Sequence, residues 1–398
     1  MIRTSRRRIA VNSAGTSPVQ SRRFGGLTRG LVVATALVVV ASCGSTADSG
    51  TSDVAEPLTG LDALYEGTFH APPEEAPPVP EDQSLWIVNC GEVATACSTA
   101  AAGATEAAEE IGWEARLCDG ELNAGGAWAN CIRQAIAANA DALLLIAIDC
   151  GAIAQPLQEA ASAGIPTVSS LGYDCDDPEI GEESLFTASV IPSDDYPTTA
   201  EYTIALGEAR ADWVRAVGGD EAEVIEVDFQ GVLAGVYAHK GFTEGMSDCA
   251  SCTIHSAPVT NQSIGTLRQT LESAILQNPE ASFVTVTNDA LVLLGSSQAV
   301  AGSPRRNELS LIGGEGAPPV LDLMRDGLGV SAVLAQSMTW FGYAGIDTII
   351  RVLNDEDAAP AGLGFQLVDT QRGLPESGPY EPPVDFKEAY LAAWAAAE

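Results

Sequence analysis

From Leu85 onward the chain alternates short apolar runs with longer stretches in which apolar side chains recur at helical spacing. A short run bounded by helix-period segments reads as a buried strand. Strands joined through helices must lie parallel, with helices on both faces of the sheet. The alternation therefore predicts an α/β fold. Strands are expected at Leu85–Asn89, Glu114–Leu117, Ala142–Ile146, Thr167–Ser169 and Leu185–Ser189, with helices at Ser98–Ile111, Ala127–Asn139 and Ile153–Ala163. Gly164-Ile165-Pro166 supplies a helix stop and a breaker before the fourth strand. After Pro192 the cycle restarts with a helix at Thr198–Val217. Strands follow at Val224–Asp228, Thr253–Val259, Phe283–Thr287 and Leu309–Gly313, with helices at Tyr237–Ser247, Ser263–Gln277, Ala290–Val300 and Val320–Arg325. Two doubly wound, Rossmann-like halves result.

Residues 1–42 stand apart from this pattern. They carry seven arginines, no acidic residue and an apolar run, Leu31–Val40, too short to span a bilayer stably. Such a segment is a signal peptide. The run Val40-Ala41-Ser42-Cys43 resembles a bacterial lipobox, which implies that Cys43 is acylated and becomes the first residue of the mature chain. Acyl chains would hold the protein on the outer, extracytoplasmic face of the cell membrane. Ser5-Arg6-Arg7-Arg8-Ile9 is a faint twin-arginine match, so the export route and the true start codon stay open.

Without the leader, 12 basic residues face 54 acidic ones, a net charge of −42. This surface would repel nucleic acid and anionic headgroups, which makes a covalent anchor more useful than a basic patch. The hydrophobic fraction, 46%, is that of a folded protein. Residues 43–83 are rich in Ser, Gly, Pro and acids and read as a tether, whose middle, Leu61–Phe69, can fold back as a short helix. At the other end, Asp385–Trp394 has the spacing of an amphipathic helix with aromatics to dock.

Eight cysteines remain after Cys43, an even number outside the cytoplasm, which favours disulfides. Cys90, Cys118, Cys150 and Cys175 follow expected strands, and Cys97 and Cys131 lie near the start of the next helical run. Strand ends and following helix starts share one edge of a βα unit. Cys90 with Cys97 and Cys118 with Cys131 are therefore natural pairs, leaving Cys150 with Cys175 and Cys249 with Cys252 by elimination. Many other connectivities exist, so this sequential pairing is an expectation. Loop closure gives each of the first three roughly 2.5 to 3.5 kcal/mol at most.

Several segments together resemble the type 1 periplasmic binding proteins that serve ATP-binding cassette (ABC) importers of sugars. They are Ala140-Asp141-Ala142-Leu143-Leu144-Leu145-Ile146 with Asp149, Ala163-Gly164-Ile165-Pro166-Thr167-Val168, and Gly241-Phe242-Thr243-Glu244-Gly245. Val286-Thr287-Asn288-Asp289, Leu311-Ile312-Gly313-Gly314-Glu315-Gly316, Val333-Leu334-Ala335-Gln336 and Gly342 complete the set, in family order. The resemblance implies two lobes joined by a three-strand hinge. Residues 84–191 with 337–364 would form the N-terminal lobe and 192–336 with 365–372 the C-terminal lobe. Crossings would fall near Ile191, Gln336 and Asp369, and 373–398 would form a helical tail. It also implies a monomeric solute receptor that closes over a small molecule and hands it to a membrane permease.

In open α/β sheets ligands bind beyond the carboxyl ends of the strands. Asn89, Asp149, Ser169, Ser170, Gln230, Asn288, Asp289, Glu315 and Gln336 occupy those positions. All are amides, hydroxyls or carboxylates, so an anionic ligand would lack a counter-charge. A sugar or polyol fits, as does a cationic amine or a nucleoside. Resemblance to sugar binders makes Asp149, Asn288, Asp289, Glu315 and Gln336 the hydrogen-bonding set. The arginine such binders carry before the Gly-Phe pair is replaced by Ala238, with Tyr237, His239 and Lys240 beside it. Phe229, Tyr173, Trp340 and Trp128 are the available aromatic platforms, each with a packing role as the alternative. Asp149 can equally cap the next helix, as can Asp289. Asp141 reads as a turn residue.

Nothing points to catalysis. His70, His239 and His255 have no partner acid or nucleophile at a motif spacing, and no phosphate-cradling loop precedes a Lys-Ser or Lys-Thr pair. Cys249-x-x-Cys252 precedes a strand, where a redox pair opens a helix, so a structural turn disulfide is expected. The chain is read as a non-enzyme without cofactor or metal. A sensory receptor of the same fold, feeding a signalling partner, is the alternative to import.

Overall fold

The computed structural model describes residues 60–397. The expected leader, the expected acylation site Cys43 and residues 44–59 of the expected tether lie outside the described residues.

A short helix, α1 (Asp62–Glu66), precedes the first half. There β1 (Ser84–Asn89), α2 (Thr95–Glu110), β2 (Glu114–Asp119), α3 (Ala127–Ala138), β3 (Ala142–Ile146), α4 (Ala154–Ser162), β4 (Thr167–Ser170) and β5 (Ala188–Ser189) build a parallel sheet of order β2-β1-β3-β4-β5. The central strand β3 is apolar at every position and β1 at its four inner ones, because both faces are covered. Leu85, Ile87, Leu144 and Ile146 point into one core and Trp86, Val88, Leu143 and Leu145 into another.

The second half repeats the winding. Its elements are α5 (Thr199–Gly218), β6 (Glu223–Phe229), α6 (Leu233–Met246), β7 (Thr253–Val259), α7 (Leu267–Gln277), β8 (Phe283–Val286), α8 (Asp289–Leu291), α9 (Ser297–Gly302), β9 (Ser310–Gly313), α10 (Pro318–Arg325) and β10 (Ala332–Ala335). After α11 (Met338–Leu353), which packs on the first half, β11 (Gln366–Asp369) closes a second sheet of order β11-β10-β9-β8-β6-β7. Only the β10–β11 pair is antiparallel. Finally α12 (Phe386–Ala396) returns to pack on α11.

Small residues let helices meet backbone to backbone. A Cβ on Gly342 of α11 would lie 2.4 Å from the Ala100 oxygen of α2, and one on Gly241 of α6 would lie 2.0 Å from the Ile204 oxygen of α5. Both seams depend on glycine.

The helices expected at Tyr237–Ser247 and Ser263–Gln277 start instead at Leu233 and Leu267, and two further elements change shape. The fifth strand shortens to Ala188–Ser189 because the amides of Leu185 and Phe186 donate to Asp174 Oδ1 at 3.0 and 3.2 Å, away from the sheet. The helix expected over Ala290–Val300 is interrupted by a π turn, Val292–Ser296, where Gly295 sits so close to Arg268 that a Cβ would lie 2.9 Å from its backbone nitrogen.

The chain passes between the halves at residues 190–198, 336–337 and 354–365. The first and third passages pair, with the Ala361 amide on the Ile191 oxygen at 2.9 Å and the Leu363 amide on the Pro192 oxygen at 2.7 Å. Tyr202 ties all three together. Its hydroxyl lies 3.0 Å from Gln336 Oε1 and 2.9 Å from the Gly364 oxygen, and its ring packs against Tyr196, Phe341 and Phe365.

The described part of the proline-rich segment lies along this hinge. Thr68 donates its amide to Phe365 and His70 to Gly362, both at 3.0 Å. Farther on, Arg351 holds the Glu75 oxygen at 2.6 Å and Trp113 Nε1 holds the Pro80 oxygen at 2.8 Å. Prolines 72, 73, 77, 78 and 80 lack amides to place, which suits a run that pairs through its carbonyls.

Four disulfides join Cys90 to Cys97, Cys118 to Cys131, Cys150 to Cys175 and Cys249 to Cys252, the sequential pairing expected from the strand and helix pattern. The first three clamp loops at the carboxyl edge of the first sheet. The fourth closes the turn between α6 and β7. Among the described residues no helix is long and apolar enough to cross a membrane.

Candidate functional site

The carboxyl edges of the two sheets face each other across the hinge. Each edge carries part of the polar set read from the sequence.

On the first half, Asn89 is fully buried and spent on structure. Its Oδ1 accepts the Gly120 amide at 3.2 Å and its Nδ2 donates to Glu92, so it fastens the loops after β1 and β2 together. Ser170 Oγ donates to the Phe341 oxygen at 3.1 Å, fixing β4 to α11. Ser169 Oγ is buried and finds no partner among the described residues. Asp149 lies where the halves touch. Burial raises its pKa to about 6, against the opposing pull of the Tyr173 and Leu233 amides, and Leu233 belongs to the second half.

That contact continues through aromatics. The rings of Tyr173 and Tyr237 stack across the halves with centroids 5.4 Å apart. Tyr237 donates its hydroxyl to Asp177 Oδ1 at 2.6 Å, and the Tyr173 hydroxyl lies 2.9 Å from Thr203 Oγ1.

On the second half, Gln230 is at the surface, bonded to Asp228 at 2.6 Å, and Asn288 caps α8 by accepting the Leu291 amide at 3.0 Å. Asp289 is almost wholly buried. Its Oδ1 accepts the amides of Glu315 and Gly316 at 2.8 and 3.3 Å, and its Oδ2 accepts that of Ala317 at 2.8 Å. In return Glu315 Oε2 accepts the Asp289 amide at 3.3 Å, so the loops after β8 and β9 are locked reciprocally. The Gln336 amide donates to the Glu315 oxygen at 2.9 Å and brings the second passage into the same group.

These three residues, Asp289, Glu315 and Gln336, line a cavity of about 160 Å³. Thr95, Ala96 and Thr99 of α2 face them from the first half, with Ser337 and Thr339 at the hinge and Tyr380, Glu381 and Lys387 of the tail completing the wall. The chamber thus draws on both halves. Of the nine residues expected at the strand ends, the remaining six do not line it.

Electrostatics in this corner are set by burial. Glu315 is pushed up to about 8 by burial and by the neighbouring Asp289 charge, with Arg210 opposing. Burial raises Asp289 too, offset in part by its three amide donors. Arg210, buried on α5, is lowered to about 10 by desolvation, and the charges of Glu226 and Glu315 limit the drop.

A pH test follows. Folded Glu315 keeps its proton to about pH 8, whereas an unfolded glutamate loses it near 4.5. Between these values the folded state binds more protons, so stability falls as pH rises. Urea midpoints taken from about pH 5 to about pH 8 should decline more steeply in the wild type than in Glu315→Gln. Equal slopes would show that Glu315 titrates normally.

Sequence reading missed Arg210, Tyr202 and the part the tail plays in the chamber wall, although it placed the tail's helix. The helical spacing of Tyr202, Leu206, Arg210 and Trp213 already put the arginine and the tyrosine on the buried face of α5. Of the aromatics, Trp340 is fully buried between Phe69 and Phe386, and Trp128 donates Nε1 to the Cys90 oxygen at 3.0 Å. His239 pairs with Glu226 at 2.9 Å, and Lys240 points to solvent.

Residues 89–357 match the family model described as "Periplasmic binding protein domain". The chain belongs to this family. No curated protein matches it. Among solved structures it is similar to an ABC transporter solute-binding protein from Agrobacterium vitis bound to α-D-tagatopyranose, at 21% identity and TM-score 0.62 over 72% of this chain and 95% of that one. A second protein from Agrobacterium vitis, with bound allitol, is 18% identical at TM-score 0.60, covering 73% and 96%. A glucose-galactose binding protein from Geobacillus stearothermophilus is 14% identical at TM-score 0.60, covering 73% and 98%. The two-lobed fold is that of these solute-binding proteins.

Proposed function

We propose that this chain is the lipid-anchored, extracytoplasmic solute receptor of an ABC importer and that it encloses a small neutral polar molecule, a sugar or polyol, between its halves. The chamber lined by Asp289, Glu315 and Gln336 and faced by Thr95 and Thr99 carries this reading. Its polar groups are hydroxyls, an amide, carboxyl groups and one ammonium, Lys387, whose charge is taken up by Glu106. Glu315 holds its proton at neutral pH and can both donate to and accept from the hydroxyl groups of a neutral guest, while offering a cation no counter-charge.

The volume, about 160 Å³, lies below that of a drug-sized pocket, so the guest is small. Sugars and polyols named in the related structures give the first panel to try. Affinity would come from closure, which removes the guest from water and pairs its polar groups together. The permease and its ATPase are separate chains, and the anchor is the acylated Cys43.

The test is a thermal-shift screen of the soluble domain against tagatose, galactose, glucose, allitol, nucleosides, amines and organic acids. A guest present at a hundredfold its Kd should add about 2.7 kcal/mol of stability. Stabilisation by a sugar or polyol, lost in Gln336→Ala, is the expected outcome. Stabilisation by acids alone would overturn the reading.

A further inference from the structure

Beyond Asp369 the chain has left the second sheet, yet it makes one more passage back to the first half. Arg325 on α10 grips the outgoing segment, with Nε on the Pro375 oxygen at 2.9 Å and a terminal nitrogen on the Gly378 oxygen at 2.8 Å. Tyr380 then donates its hydroxyl to Gln366 Oε1 of β11 at 2.7 Å. Six residues later the chain is fixed to the other half. Phe386 stacks on Trp340 with centroids 4.9 Å apart, Lys387 holds Glu106 of α2 at 2.7 Å, and Trp394 Nε1 reaches Asp347 of α11 at 2.9 Å.

The residues between these anchors are Glu381-Pro382-Pro383-Val384-Asp385. Consecutive prolines fix φ and stiffen the run, which bends once at Pro383–Val384, where the Phe386 amide donates to the Val384 oxygen at 2.9 Å. Its two ends are also the ends of a ring stack. Tyr380 meets Phe69 at 6.5 Å, Phe69 meets Trp340 at 5.7 Å, and Trp340 meets Phe386. Tyr380, Glu381, Phe386 and Lys387 all line the chamber.

We propose that Glu381–Asp385 is a positioning strut, a fourth link between the halves that holds the chamber wall at its closed spacing. The inference rests on the chamber being the ligand site. A stiff link anchored on both halves limits how far they part, so it raises the population of the closed form that binds. Apparent affinity scales with that population.

The experiment uses the soluble domain and the variant Pro382→Gly/Pro383→Gly, which loosens the strut without touching an anchor. Small-angle X-ray scattering of each protein without added sugar reads the separation of the halves, and calorimetry with tagatose, galactose and allitol reads affinity. We expect a larger radius of gyration in the variant and binding about tenfold weaker. An unchanged radius overturns the strut whatever the sugars do, and an enlarged radius with unchanged affinity overturns its part in the chamber. An enlarged radius when neither protein binds any sugar leaves the strut standing and removes the sugar reading. If the double variant does not fold, Pro383→Gly alone is measured in the same way.

Discussion

Alanine at position 340 should lower the free energy of unfolding by about 3 to 5 kcal/mol, the largest effect expected of any single core substitution here. Trp340 is fully buried and lies between Phe69 and Phe386, with interplanar angles of 11° and 6°. Its removal leaves a void where three distant segments meet: the proline-rich run before β1, the start of α11, and the start of α12. None of the three can collapse into the gap alone, because each is tied elsewhere by backbone hydrogen bonds. Trp340→Phe keeps the stack and should recover more than half of the loss. Urea titration of the soluble domain decides the matter. A loss below about 1 kcal/mol for the alanine variant would mean that the three segments are held independently.

The second large effect concerns Asp289. Its carboxylate accepts three backbone amides from the loop after β9, so Asp289→Ala strands three donors in a buried site. Each unpaired donor costs about 1 to 3 kcal/mol, and a shortfall of at least 3 kcal/mol in total is expected. Asp289→Asn retains one acceptor oxygen and should fall between. The same loop presents Glu315 and Gly316 to the chamber, so the alanine variant should also lose the thermal shift produced by a guest. Full stabilisation by a sugar in Asp289→Ala would separate the loop from binding.

Much of the architecture was legible because both sheets are buried on both faces. Ala142–Ile146 was placed at its observed bounds, since the apolar run stops where the cover of helices stops, and the edge strand Thr253–Val259, of which only Ala257 and Val259 are buried, was placed at its bounds too. Disulfide pairing was legible for a related reason: successive βα units bring a strand end and the next helix start together. The fifth strand was overread because Leu185 and Phe186 look like strand residues, while the acceptor that takes their amides, Asp174, lies a loop away.

The site was less legible. Residue type and position at a strand end do not reveal whether a side chain faces the chamber or is consumed locally, and Asn89, Ser170 and Asn288 are consumed locally. Nor does a tail with helical spacing disclose that its leading residues form a wall. Only long-range contacts, which a linear pattern does not encode, separate these cases.

The cystine pattern has a consequence for biogenesis. Partners stand 7, 13, 25 and 3 residues apart, and no loop so closed encloses another. During synthesis or translocation, amino terminus first, both thiols of each bridge emerge before the first thiol of the next. Oxidation in order of appearance therefore yields the native set directly, and maturation needs an electron acceptor but no reshuffling catalyst.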